Sequence, residues 1–344
     1  MKKEIWGFFP PPLGGISIYC KRLAEKLYAK DKDILLRNFA KSKSNSEYVV
    51  DVKHRIWAFI SLLFVKKRLV HAQFTNIHML LLLYLFGWRH PLIMTLHNRR
   101  IVLLNGWKRK VVNSLFRRAR YIIYNDGAYT GELQEKYDID TDKVVILPTY
   151  ISPSKDECKG VTPEIEEFCS NHTFSLSANA NRLMNNVFGD VYGLDQLIGL
   201  MDRLVNKDGI DAGLVFCISE IYNHAYYNEC MARIEQLNLK EHFLFVVQSP
   251  VNGFEVWART DLFLRPTMSD MEGISVKEAL EFGTPVVASD VCVRPVEAVL
   301  YKTADVDDLY NKVKELLHSK QKVVYKPELS VPDEIEKLYA LFGK

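Results

Sequence analysis

The sequence lacks the spacings that mark several common protein classes. Its six cysteines (Cys20, Cys158, Cys169, Cys217, Cys230 and Cys292) are scattered, with no Cys-x-x-Cys pair and no accompanying histidine pair. That usage argues against a zinc module and against a disulfide framework. Neither G-x-G-x-x-G nor G-x-x-x-x-G-K-[ST] occurs, so there is no dinucleotide fingerprint and no P-loop, and dehydrogenase and NTPase readings fall. Long apolar runs are missing too. The longest, Met79 to Trp88, is about half of the ~20 residues needed to cross a bilayer. The amino terminus, MKKEIWGFF, is broken at Pro10 to Pro12 and has no small-residue cleavage site, so no signal peptide is expected. No internal repeat or low-complexity tract is evident.

What is present points to two α/β domains. A chain of 344 residues with 48% hydrophobic residues exceeds the usual single-domain size and can fill two cores. The net charge of +3 hides an asymmetry: residues 1–150 carry 26 Lys/Arg against 12 Asp/Glu, and residues 151–344 carry 19 against 30. The first half is therefore suited to an anionic surface, whether lipid, nucleic acid or a phosphorylated acceptor.

Short apolar runs alternate with longer helical patterns, the signature of parallel α/β layers. In the first half, Glu4–Phe9, Ile34–Phe39, Leu69–Phe74, Leu92–His97, Tyr121–Asn125 and Val144–Leu147 read as strands. In the second, Phe174–Ala178, Gly213–Ile218, Phe243–Val247, Leu262–Arg265 and Pro285–Ser289 repeat the pattern. The stretch from Pro148 to Thr162 is the hinge candidate, and Pro332-Asp333 suit the start of a final amphipathic helix. The expected divisions are 1–152, a linker at 153–168, a second domain at 169–328 and a helix at 329–344.

The stretch RPTMSDMEGISVKEALEFGTPVVASD, Arg265 to Asp290, carries the most chemistry. After a strand, a loop bearing Asp270 and Glu272 reaches Gly273, where a backbone without Cβ lets a ligand come close. A helix starting near Ser275 would aim unpaired N–H groups and a positive dipole end at a phosphate. Glu278 follows Asp270 by eight residues, so two carboxylates flank the same place and suit the hydroxyls of ribose and hexose.

Together with Gly14-Gly15-Ile-Ser, this stretch resembles the family-4 retaining glycosyltransferases of GT-B fold, whose motif is Glu-x7-Glu. Here Asp270 takes the first position and Glu278 the second. The resemblance implies two facing Rossmann-like domains with parallel sheets. The first would bind acceptor, the second the nucleotide sugar, and the C-terminal helix would return to the first domain. It implies that Glu278 holds ribose, that Asp270 holds sugar hydroxyls, and that the backbone of Gly273, Ile274 and Ser275 holds the diphosphate. Arg182 matches the family's phosphate-binding Arg, while Tyr192, just before Gly193, stands where a Lys is usual. His97, at the end of LIMTLH, resembles the family's active-site His at a strand end, where open α/β sheets bind ligands.

The catalytic set expected on this basis is His97, Arg182, Asp270 and Glu278. The donor site is expected to comprise Gly14, Gly15, Asn179, Arg182, Asp270, Glu272, Gly273, Ile274, Ser275, Val276 and Glu278. No metal and no cofactor are expected beyond the nucleotide-sugar substrate. Asp138, Asp140 and Asp142 lack the glycine and glutamate of a calcium loop and read as a solvated turn.

The implied reaction is retaining sugar transfer to a glycan or polyprenyl-diphosphate-linked acceptor, in bacterial surface polysaccharide synthesis. The implied place is the cytoplasm, at the inner face of the membrane. A basic helix, Lys108, Arg109, Lys110, Arg117, Arg118 and Arg120 with Trp107, Val111, Val112, Leu115 and Phe116, suits peripheral contact with anionic lipid, and Lys66, Lys67 and Arg68 add to it. No nucleic-acid recognition motif accompanies these charges. Two other readings stay open: a nucleotide-sugar epimerase, and a non-catalytic binding partner on a degenerate scaffold of the same kind.

Overall fold

The computed structural model describes all residues except 12–13, 98, 125–126, 187–188, 249–250, 271, 320–322 and 343–344. The chain divides into two units, Met1–Ser152 with Leu329–Lys344, and Pro153–Glu328.

The first unit is built from β1 (Lys3–Gly7), α1 (Gly15–Lys30), β2 (Ile34–Asn38), β3 (Val49–Asp51), α2 (Arg55–Ile60), β4 (Leu69–Ala72), α3 (Ile77–Phe86), β5 (Leu92–Thr95), α4 (Gly106–Arg118), β6 (Tyr121–Tyr124), α5 (Gly127–Lys136) and β7 (Val144–Ile146). The second unit holds α6 (Pro163–Ser170), β8 (Phe174–Leu183), the short pair β9 (Asn185–Asn186) and β10 (Gly189–Asp190), α7 (Leu194–Met201), β11 (Ala212–Ile221), α8 (His224–Gln236), β12 (Phe243–Val247), α9 (Gly253–Arg259), β13 (Leu262–Arg265), α10 (Ile274–Glu281), β14 (Val286–Ser289), β15 (Val299–Tyr301) and α11 (Val306–Ser319). The final helix, α12 (Val331–Ala340), belongs to the first unit.

Both main sheets are parallel, in the orders β3-β2-β1-β4-β5-β6-β7 and β12-β11-β8-β13-β14-β15. Each order starts centrally, runs out to one edge and then to the other. A doubly wound sheet of this kind leaves a crevice at the carboxyl ends of the two strands where the order reverses. In the first unit those strands are β1 and β4, in the second β8 and β13. Helices cover both faces, so central strands such as LIMT in β5 and VVAS in β14 are buried along their whole length.

Two apolar layers flank each sheet. In the first unit, Trp6, Phe59, Leu83, Leu115 and Phe116 pack on one side. Leu23, Leu27 and Ile151 pack on the other, together with Val331, Ile335 and Tyr339 of α12.

The expected strands appear, with informative differences. β8 and β11 run on to Leu183 and Ile221, past the expected stops at Ala178 and Ile218. Their extensions pair with each other, Glu220 opposite Arg182 and Ile221 opposite Leu183, so a cross-strand ion pair continues a ladder that hydrophobicity no longer marks. β3 and β15 were not foreseen: each is a three-residue edge strand, too short to leave a period in the sequence. The stretch 153–168, expected to be a linker, falls within the second unit. There Thr162 caps α6 by accepting from Ile165 N, and Ile165 and Cys169 are buried beside Phe254 and Trp257.

Candidate active site

In the second unit, β13 ends the run LFLR with Arg265, a buried cation in a strand otherwise apolar. The following loop folds back to meet it. Asp270 Oδ2 accepts from Arg265 Nε at 3.0 Å, from Arg294 Nη1 at 3.0 Å and from Thr267 Oγ1 at 3.4 Å. The Arg294 side chain is wholly buried. It also donates through Nη1 to the Glu272 carbonyl, through Nη2 to Thr267 Oγ1 and through Nε to the Ser289 carbonyl. Burial opposes ionisation of Asp270, but the two guanidinium groups outweigh it and hold the carboxyl at about 2.

That ion triad shapes the start of α10. Gly273 caps the helix with φ +67°, in the left-handed region. A Cβ there would stand 2.2 Å from Arg294 Nη1, so conformation and space both require glycine. The first N–H groups of α10, at Ile274, Ser275 and Val276, lie at the positive end of the helix dipole, and its first turn carries no acidic residue. Glu278 is buried on the same helix, and Glu272 pairs with Lys277.

Across the sheet reversal, Arg265 Nη1 donates to Asn179 Oδ1 at 2.9 Å, tying the middle of β8 to the end of β13. The Arg265 guanidinium lies over the Tyr192 ring, 5.4 Å from its centroid. Burial raises the Tyr192 phenol above its ordinary value, so the residue in the place of the usual Lys brings no charge.

The structure thus gathers Asn179, Asp270, Glu272, Gly273, Ile274, Ser275, Val276 and Glu278 around one loop and helix start. Arg182 lies further along β8 and is paired within the sheet. It is half exposed, its Nε donates to Glu220 at 2.7 Å, and its guanidinium covers the Tyr222 ring. Among the described residues, the cations that touch the loop are Arg265, Arg294 and Lys277, which spacing from the resemblance does not single out. Their sequence signal is weak: a lone Arg closing an apolar strand, and a second Arg beyond β14.

In the first unit, Gly14 caps α1 and Gly15 is its first residue. The Gly14 amide donates to Ser17 Oγ at 3.0 Å. His97 lies two residues past β5, edge-on to Tyr19 of α1 at 4.9 Å between centroids. Its Nε2 meets Gln73 Oε1 at 2.7 Å, which places the ring proton on Nε2, because an amide oxygen only accepts. The Gln73 amide nitrogen in turn donates to His71 Nε2 at 2.9 Å, leaving the His71 Nδ1–H to donate to Tyr339 Oη at 2.7 Å. A buried chain Tyr339–His71–Gln73 therefore sets the orientation of His97. Burial, with His97 nearby, holds His71 down at about 3, so it is neutral.

Residues 182–326, within the second unit, match the family model of glycosyl transferases group 1. The two parallel sheets and the structural likenesses make the whole chain a GT-B fold. HepE from Anabaena, solved with UDP and glucose, is 16% identical, with TM-score 0.70 over 93% of this chain and 91% of that one. A glycosyltransferase from Rickettsia africae ESF-5 is 15% identical, with TM-score 0.70 over 92% and 88%. WaaG, a glycosyltransferase involved in lipopolysaccharide biosynthesis, is 14% identical, with TM-score 0.60 over 92% and 90%. No protein of curated function matches the sequence.

Proposed function

We propose that this glycosyltransferase moves a sugar, with retention and without a metal or other cofactor, from a nucleoside-diphosphate sugar to a glycan or polyprenyl-diphosphate-linked glycan. The carrying observation is the helix start at Gly273, held by a buried Asp270–Arg294 pair, with Glu278 buried on the same helix. Sugar transfer needs a stabilised diphosphate leaving group more than a strong base, and preorganised N–H donors supply that stabilisation. In this reading the diphosphate sits on the N–H groups of Gly273, Ile274 and Ser275, the Val276 N–H being taken by the Gly273 carbonyl. Arg182 exchanges Glu220 for a phosphate oxygen, an inexpensive step for a half-exposed ion pair. Glu278 takes the ribose hydroxyls. The acceptor proton passes to the departing phosphate oxygen. UDP is the first nucleotide to test, since UDP is bound in the Anabaena relative.

The test is a thermal-shift screen of UDP-, GDP- and ADP-sugars with the full chain, repeated on Glu278→Ala and Arg182→Ala. A donor at about 100 times its Kd should stabilise by about 2.7 kcal/mol. The shift should vanish in Glu278→Ala and shrink in Arg182→Ala. No shift with any donor would overturn the donor site. A second reading, a binding partner without turnover, is favoured by one observation: Asp270 is committed to two arginines rather than turned to a sugar. It predicts donor stabilisation with no sugar transfer and no donor hydrolysis.

A peripheral membrane contact belongs to the same proposal. Among the described residues no helix is long and apolar enough to cross a membrane. Yet Trp57 on α2, Trp88 after α3 and Trp107 on α4 are all more than half exposed, on a unit rich in Lys and Arg. Such side chains suit an interface of anionic lipid. Vesicles containing phosphatidylglycerol should sediment the protein and neutral phosphatidylcholine vesicles should not. Trp57→Ala with Trp107→Ala should lower the bound fraction several-fold, and equal binding by the double variant would remove the contact from the proposal.

A further inference from the structure

Three neighbouring parallel strands of the second sheet, β8, β11 and β12, begin side by side, with Ala212 opposite Phe174 and Leu214 opposite Phe243. The residues just ahead of those strands include His172, Asp211 and His242. One donor atom from each lies within 4.8 Å of those from the other two, the only such group of three among the described residues. We propose that these three side chains bind a divalent transition-metal ion, with Zn2+ the best match.

The argument rests on how the donors are held. His242 Nδ1 is 2.8 Å from the Ala212 carbonyl, which only accepts, so the ring proton is on Nδ1 and the Nε2 lone pair is available. His172 Nε2 is 3.2 Å from the Glu241 carbonyl, which places a proton on that nitrogen and leaves Nδ1 towards Asp211 Oδ1 at 2.8 Å. His242 therefore gives Nδ1–H to a backbone carbonyl and keeps Nε2 for a ligand, while His172 gives Nε2–H to a backbone carbonyl and shares at Nδ1 a proton with Asp211 that a metal ion would displace. A second-nitrogen bond to a carbonyl is what orients metal-binding histidines. The carboxylate is fixed in the same way: Asp211 Oδ2 accepts from Thr173 N at 2.8 Å and from Thr173 Oγ1 at 3.0 Å, while Oδ1 faces His172.

The backbone is cut to fit. A Cβ on Gly213 would stand 2.2 Å from His172 Cδ2, so the ring lies where any other residue would displace it. Phe168 packs edge-on against the His172 ring at 4.9 Å between centroids, and the two imidazole rings lie 5.2 Å apart.

Two imidazole nitrogens and one carboxylate oxygen are a set that Zn2+ accepts, with water completing four-coordination. The ion replaces the proton between His172 Nδ1 and Asp211 Oδ1, and that proton goes to solvent. The site stands at the amino ends of the strands. The donor loop stands at the carboxyl end of β13, level with Asn179, with Phe174 to Asn179 of β8 between them, on the order of 15–20 Å. The ion therefore takes no part in sugar transfer. It pins together the starts of three strands and stabilises the unit with the logarithm of free ion concentration above Kd.

The test uses the full chain stripped with a chelator and then titrated with Zn2+ by calorimetry. Binding of one equivalent is expected, with a rise in the thermal midpoint. His242→Ala and Asp211→Asn should each weaken binding at least tenfold, with midpoints in chelator close to the parent. Co2+ should give the visible bands of a tetrahedral nitrogen–oxygen site with no thiolate charge-transfer band, which separates this site from the six cysteines. Absence of stoichiometric binding, unchanged affinity in both variants or a thiolate band would overturn the proposal. None of these readouts involves a nucleotide sugar, so the outcome is independent of the donor screen.

Discussion

Asp270→Ala is expected to cost the second unit about 3–5 kcal/mol, read from denaturant unfolding at pH 7.5. The substitution leaves two guanidinium groups buried with no carboxylate, and removing one partner of a buried ion pair typically costs that much. Arg294→Met in the same chain should recover part of the loss, because it removes one of the two stranded charges. A single-variant cost below about 1 kcal/mol, or no recovery in the double variant, would mean that the triad does not hold the loop. Asp270 also carries an acid signature. Its carboxyl is held at about 2 against an ordinary 3.8. The stabilisation, about 2 kcal/mol, is complete above the ordinary value and lost as pH falls through about 2.

The second large effect lies in the first unit and at milder pH. His71 is held at about 3 in the folded chain against an ordinary 6.5, so below 6.5 the unfolded chain binds a proton that the folded chain refuses. Stability is therefore complete above about 6.5 and declines as pH falls towards 3, by at most about 5 kcal/mol. His71→Gln should lower stability at pH 7.5, since the bonds to Tyr339 and Thr95 are changed, yet flatten the slope between pH 6.5 and 4. Hydrogen exchange at amides of β4 and β5 reads the first unit separately. A slope that persists unchanged in the variant would assign the acid sensitivity to another group.

How far the sequence carries a reader depends on whether the signal is local. The buried parallel strands were legible because both faces are covered and the residues run apolar without a break, as in LFLR and VVAS. The eight-residue step from Asp270 to Glu278 was legible because a strand, a glycine and a helix follow in one continuous stretch. What was not legible is side-chain commitment across the sheet. Nothing near Asp270 in the sequence announces Arg294, 24 residues later, and the pairing depends on a glycine that leaves room for the guanidinium. The expectation that Arg182 meets phosphate rests on the family pattern alone. Its pairing with Glu220 arises only when β8 and β11 extend together. His172, Asp211 and His242 stand 39 and 31 residues apart, a spacing with no motif, and only strand order brings them together.

The return of α12 to the first unit has a consequence for synthesis. Residues 153–328 are continuous in the chain, whereas the first unit is completed by residues from 329 onward. On the ribosome, the second unit can close as soon as it emerges, while Val331, Ile335 and Tyr339 reach their places beside Leu23 and Leu27 only afterwards. At typical elongation rates the stretch after residue 152 takes roughly 10 to 40 s to make. Throughout that interval the nascent first unit presents an uncovered apolar seam and His71 lacks its Tyr339 partner. The half that is translated first is thus the half that matures last, and its exposure to chaperones is set by the length of its neighbour.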